Sequence, residues 1–143
     1  MTSEFGVAVH ALVFLSHKAR QLSSEALAEN VCTNPARIRK IMSKLKKAGL
    51  VATKEGAEGG YHAVRSAAEV SLREIGDALG VKYVEASWRS GNAGMECMIA
   101  SGMADVMDQV YADLDEECKR RLETITLAEI ERQLINRKRL LPT

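Results

Sequence analysis

The stretch Ser24-Glu25-Ala26-Leu27-Ala28-Glu29-Asn30-Val31-Cys32-Thr33-Asn34-Pro35-Ala36-Arg37-Ile38-Arg39-Lys40-Ile41-Met42-Ser43-Lys44-Leu45-Lys46-Lys47-Ala48-Gly49 decides the fold. Ser24 to Val31 reads as a short helix, with Ser23 or Ser24 as the N-cap whose hydroxyl accepts from the first free N–H groups. Cys32-Thr33 reads as a tight turn. Asn34-Pro35 then reads as a second N-cap followed by proline at the first helical position, where a missing N–H costs nothing. Ile38, Ile41, Met42 and Leu45 recur at helical spacing and predict one buried face. Gly49 stands where a left-handed C-terminal cap belongs.

The other face of the second helix is basic. Arg37, Arg39, Lys40, Lys44, Lys46 and Lys47 lie in a stretch without an acid from Asn30 to Lys54. Beyond Gly49, Leu50 to Thr53 reads as a strand. Gly56-Ala57-Glu58-Gly59-Gly60 reads as a hairpin tip, and Tyr61 to Val64 as the returning strand. Two helices and a glycine-rich hairpin in this order predict a winged helix-turn-helix. Its second helix is expected to enter a DNA major groove, with the wing at the backbone or minor groove. The expected DNA-contacting set is Ser24, Thr33, Asn34, Pro35, Arg37, Arg39, Lys40, Lys44, Lys47, Gly59, Gly60 and Tyr61.

The chain of 143 residues is long enough for one small domain and an oligomerisation element. Hydrophobic content of 46% and charged content of 27% are those of a globular chain. The net charge is only +1, but it is unevenly placed. Residues 1–66 hold ten Lys/Arg against five Asp/Glu, and residues 67–143 hold ten against fourteen. Positive charge therefore concentrates on the reading element, as a nucleic-acid binder requires. Three widely spaced cysteines make no disulfide framework. Phe5 to Leu15 is apolar but follows Glu4, unlike a secretory signal. No window approaches the ~20 apolar residues that cross a bilayer. The expectation is a soluble, cytoplasmic protein.

Around this stretch, Ser3 to Ala19 reads as a first helix, with Phe5, Val9, Leu12, Val13 and Phe14 as a buried stripe. His10 and His17 lie on it two turns apart, ~10 Å, too far for one metal ion; one is expected partly buried and the other exposed. Ser66 to Val70 is a connector. Ser71-Leu72-Arg73-Glu74 matches a capping box, opening a short amphipathic helix that Gly80 ends. Lys82 to Gly94 reads as a loop anchored by Trp88; a ligand pocket there is the less favoured alternative.

Met95 to Leu114 predicts a long helix on which Ile99, Met103, Val106, Val110 and Leu114 form one apolar stripe. At about 1.5 Å per residue it spans ~30 Å, more than its own core needs. The stripe is expected to pack on the same helix of a second copy. A further helix is expected from Asp115-Glu116-Glu117, a second capping box at Thr126 to Glu129, and a basic tail at Arg137-Lys138-Arg139 that is solvated. The fold class is mainly α. The expected divisions are a winged helix-turn-helix domain at 1–80, a loop at 81–94 and a helical dimerisation region at 95–143.

The wing glycines lack the Lys-Ser/Thr and following helix of a phosphate loop. No nucleophile–base arrangement or carboxylate pair stands out, so no enzyme activity, metal or cofactor is expected.

Thr33-Asn34-Pro35, Ile38-Arg39-Lys40, Leu45 to Val51, Gly56 with Gly59-Gly60-Tyr61, and Ser71 to Ile75 together resemble the Rrf-two family of bacterial winged-helix regulators. These include the iron–sulfur cluster regulator, the nitric-oxide-sensitive repressor and the cysteine-metabolism repressor. The resemblance implies a homodimer, held by the long helix, that binds double-stranded operator DNA and mostly represses. Cluster-binding members carry three closely spaced cysteines before and at the start of that helix. Here only Cys97 falls there, so the chain resembles a clusterless branch. Cys97 is expected to be buried and inert. The alternative is oxidation to a sulfenic acid or a disulfide with the partner chain; the signal is expected to be either redox or a small molecule.

A protein-interaction adaptor built on the winged scaffold is the alternative of a different class. The acid-free basic helix from Arg37 to Lys47 argues against it, since an adaptor does not require one.

Overall fold

Capping side chains set where the helices begin. In a computed structural model, which describes residues 3–140, Ser23 Oγ accepts from Ala26 N at 3.1 Å and opens α2 (Ser24–Val31). Asn34 Oδ1 accepts from Arg37 N at 2.8 Å and opens α3 (Pro35–Lys47). Cys32 takes a left-handed conformation between them. Gly49 does the same after α3 (φ 77°), as its place in the sequence predicts. Both predicted capping boxes form their first bond: Ser71 Oγ accepts from Glu74 N at 3.2 Å, and Thr126 Oγ1 accepts from Glu129 N at 3.2 Å.

The remaining elements are α1 (Ser3–Lys18), β1 (Val51–Lys54), β2 (Gly60–Ala63), a 3-10 turn (Ala67–Glu69), α4 (Leu72–Leu79), α5 (Met98–Glu123) and α6 (Leu127–Leu140). β1 and β2 pair antiparallel, with Val51 opposite Ala63 and Lys54 opposite Gly60. Leu22 bridges to the other edge of β2, donating to Tyr61 O at 3.0 Å and accepting from Tyr61 N at 2.8 Å. Gly60 has to be glycine beside this bridge. Its φ is +139°, and a Cβ there would stand 2.4 Å from Leu22 O.

One core holds these elements together. Leu12 and Leu15 of α1, Leu27 of α2, Ile38, Ile41, Met42 and Leu45 of α3, Val51 of β1 and Ile75 of α4 are almost wholly buried. Burying such side chains stabilises by about 1.5–3 kcal/mol each. Leu127 at the start of α6 joins the same core. The chain therefore returns from α5 to the winged domain, where Leu72 N donates to Ile125 O and Leu127 N to Val70 O. α6 then packs along α1. Between the two helices a cavity of about 900 Å³ is lined by Phe5, Val9, Val13, Phe14, Ile130 and Leu134, among others.

Four expectations need correction. The long helix starts at Met98, three residues late, because Asn92 binds the chain in a turn, accepting from Met95 N at 3.0 Å and, through its side chain, from Gly94 N at 2.8 Å. It also runs on to Glu123 instead of breaking near Asp115. Asp115 caps nothing; its carboxylate is buried and accepts from Tyr83 N at 2.6 Å and Val84 N at 3.0 Å, pinning the loop to α5. Trp88 anchors no core, since it is 78% exposed. That role falls to Arg89, which grips Asp105 at 2.8 Å and Asp108 at 2.7 Å on α5. Finally, both His10 and His17 are exposed. His10 Nε2 bonds Asn30 Oδ1 at 2.8 Å, and His17 Nδ1 meets Glu131 Oε1 at 2.6 Å.

Candidate nucleic-acid interface

The buried face of α3 fixes where its basic residues point. Each residue of an α-helix turns about 100° from the last. With Ile38, Ile41, Met42 and Leu45 facing the core, Ala36, Lys40, Ser43 and Lys47 lie opposite, on the crest; all four are exposed. Arg39 and Lys46 occupy one shoulder. Arg37 and Lys44 occupy the other.

The two shoulders differ in what they touch. On the first, Arg39 Nη1 donates to Ser24 Oγ at 3.2 Å and stands 3.7 Å from Glu25 Oε1, at the N-terminal end of α2. Lys46 Nζ donates to Thr53 Oγ1 at 2.9 Å, on the wing. On the second, Arg37 Nη2 donates to Ser3 Oγ, and Lys44 Nζ pairs with Glu4 Oε2 at 3.2 Å. Both partners there belong to the first turn of α1. The crest lysines Lys40 and Lys47 form no ion pair among the described residues.

The other residues expected at the interface divide between surface and scaffold. Thr33 and Pro35 are partly buried in the turn, and Asn34 is spent on its cap. Ser24 is buried, its hydroxyl shared between Arg39 and Glu25. Gly59 and Gly60 lie beneath the wing tip, where a Cβ on Gly59 would stand 2.1 Å from Lys54 O. Tyr61 is committed through its backbone to Leu22. The tip itself carries Glu55 and Glu58. In the sequence Lys46 stands out only as part of a basic run. Its helical phase, shared with Arg39, is the signal that places it at the wing.

The expected apolar stripe of α5 forms, and on the single chain it lies open. Ile99, Met103, Val106, Val110 and Leu114 are each between 40% and 62% exposed. Cys97 is exposed, against the expectation of a buried thiol, and it occupies the N-cap of α5. The free N–H groups of Ala100 and Ile99 hold its thiol below the ordinary value.

The cysteines do not fit an iron–sulfur cluster. Such a cluster takes about four closely placed ligands, whereas Cys97 and Cys118 stand ~31 Å apart along α5 by helical rise. Cys32 lies in the helix-turn-helix turn. Among the described residues no group of three or more His, Cys, Asp or Glu could hold a metal ion, and no helix is long and apolar enough to cross a membrane.

A recognition helix with an exposed basic crest, a supporting α2 and a two-stranded wing define a winged helix-turn-helix DNA-binding regulator. Comparison with known proteins places it more closely. Residues 1–133 match the family model for Rrf2, "Iron-dependent Transcriptional regulator", and the chain belongs to that family. It is similar to YwnA of Bacillus subtilis (strain 168), which bears the name of an HTH-type transcriptional regulator. The two are 26% identical over 130 residues, covering 91% of this chain and 96% of YwnA. Among solved structures, IscR of T. potens has a TM-score of 0.71 at 20% identity, covering 100% of this chain and 92% of that one. CymR, the global cysteine regulator of B. subtilis, has a TM-score of 0.69 at 18% identity, covering 93% and 96%. These two likenesses concern the fold. The protein is a DNA-binding transcriptional regulator, as its sequence led us to expect, and the adaptor alternative is not favoured.

Proposed function

We propose that the protein is a homodimeric repressor that binds duplex operator DNA through α3 of each protomer. The crest of α3 carries the reading: Lys40 and Lys47 stand exposed and unpaired among the described residues, beside Arg39. Lysines placed this way neutralise phosphates and release counterions, so binding weakens as salt rises. The open stripe from Ile99 to Leu114 supports pairing of α5 with α5 of a second copy, since contiguous apolar surface of this kind marks an interaction site.

Titration of the protein's own upstream DNA over a range of salt concentrations tests this. Replacing Lys40 and Lys47 together by Ala is expected to weaken binding and to flatten the salt dependence by about two phosphate contacts per protomer. Unchanged affinity and slope in that double variant would remove α3 from the interface.

A further inference from the structure

Six basic side chains on one short helix invite the assumption that all six face the duplex. The geometry points to a division of labour instead: we propose that Arg39 reads a guanine in the major groove, while Arg37 and Lys44 are positioning residues that fix α3 against α1. This inference rests on the DNA-binding reading above and names the specificity-determining side chain within it.

Arg39 lies on the shoulder of α3 that faces the N-terminal end of α2 and the wing, where Lys46 already reaches Thr53. A duplex resting on the crest and against the wing passes over this shoulder. Arg37 and Lys44 lie on the far shoulder, half-buried, with their head groups engaged by Ser3 and Glu4 at the start of α1. Directed toward α1 and away from the wing, these two head groups hold the helix in place and lie off the path of a duplex that rests on the crest and against the wing.

The head group of Arg39 is also prepared for a base. Recognition of guanine uses the planar fork of arginine, which donates in parallel to O6 and N7. Arg39 is braced at one nitrogen only, Nη1, by the buried hydroxyl of Ser24. Of its five N–H donors, those on Nη2 and Nε have no partner among the described residues. Holding one corner of the fork cuts the rotamer freedom lost on binding and leaves the other edge for the base. The Glu25 carboxylate lies 3.7 Å from the same Nη1, on the side away from the free edge.

Glu55 and Glu58 occupy the wing tip, and Lys54 is the one lysine or arginine of the two hairpin strands. A tip with two carboxylates is unsuited to a narrow, electronegative minor groove, so the wing meets the duplex through Lys46 and Lys54 on its flank. Base discrimination therefore falls on α3.

The test is selection from a randomised duplex pool by the full-length protein and three variants, each first matched to wild type by thermal unfolding. Wild type is expected to enrich a two-fold symmetric site with a guanine at one position in each half. Arg39→Ala and Arg39→Lys should both lose that preference, by about 5- to 150-fold per half-site, because lysine keeps the charge and loses the fork. Arg37→Ala should keep the full pattern of preferences, with any loss of affinity uniform across sequences. Retention of the guanine in both Arg39 variants, or its loss in Arg37→Ala, would overturn the assignment. If wild type enriches no sequence at all, the DNA-binding reading fails and takes this inference with it, an outcome distinct from the other two.

Discussion

At the scale of single residues, Cys97 is where sequence and structure part most clearly. Its neighbour Glu96 argues for a raised thiol pKa, and an isolated cysteine suggests burial. Instead the thiol sits exposed at the N-cap of α5, and the N–H groups of Ala100 and Ile99 favour its thiolate. Helix termini leave such donors free, and that is decided by where the helix starts, a boundary three residues away from the one the apolar pattern suggests. Exposure and thiolate character are the two conditions for reaction with peroxide. The thiolate attacks one peroxide oxygen, the O–O bond breaks, and a sulfenic acid and hydroxide result. Two measurements bear on a redox role. The alkylation rate of Cys97 should rise with pH to a midpoint below the ordinary thiol value of about 8.5. DNA binding of wild type should then change with peroxide while that of Cys97→Ser does not. Equal binding by both proteins under peroxide and under reductant would leave Cys97 without a sensory part.

At the scale of elements, what was legible in the sequence is what local chemistry decides. Caps at Asn34, Ser71 and Thr126, the left-handed Gly49 and the apolar face of α3 are all read from spacings of four residues or fewer, and they stand as read. Contacts across long stretches of chain were not legible. No pattern near Arg37 announces Ser3, and none near Asp115 announces the backbone of Tyr83 and Val84, more than thirty residues earlier. Asp115 has a consequence that can be measured. Burial pushes its carboxyl up, but the N–H groups of Val84 and Tyr83 and the nearby Lys119 ammonium outweigh it and hold the carboxyl below the ordinary range. A depressed folded value means that the stabilisation is present above the unfolded pKa of about 3.9 and is lost as pH falls through the folded value. Asp115→Ala leaves two N–H groups without their acceptor and should cost about 1–3 kcal/mol near neutral pH by urea unfolding. The gap between wild type and variant should close as pH drops below about 4. A gap that stays constant into strong acid would mean that the charge on Asp115 contributes nothing to the loop's attachment.

At the scale of the whole molecule, charge and apolar surface are kept apart. The winged domain carries the positive balance and the exposed lysines of α3, while α5 carries an acidic surface with one open apolar stripe. The two halves are joined twice, through the loop pinned by Asp115 and Arg89 and through the return of α6 onto α1. Pairing of two α5 helices would thereby fix the spacing between two copies of α3, as recognition of a two-fold site requires. Val106 is the position at which to test this. It is 62% exposed on the single chain, so Val106→Glu leaves the protomer's own core untouched. In a dimer seam the same carboxylate would be buried without a partner, which is strongly unfavourable. The variant is therefore expected to keep its helical circular dichroism and its thermal unfolding cooperativity while sedimenting as a monomer. Its affinity for a two-fold operator should fall by about 100-fold or more, because each half-site is then bound without the effective concentration that linkage supplies. Affinity for an isolated half-site should not change. A Val106→Glu protein that still sediments as a dimer would take the seam away from this face of α5, and with it the route by which the long helix sets the distance between the reading heads.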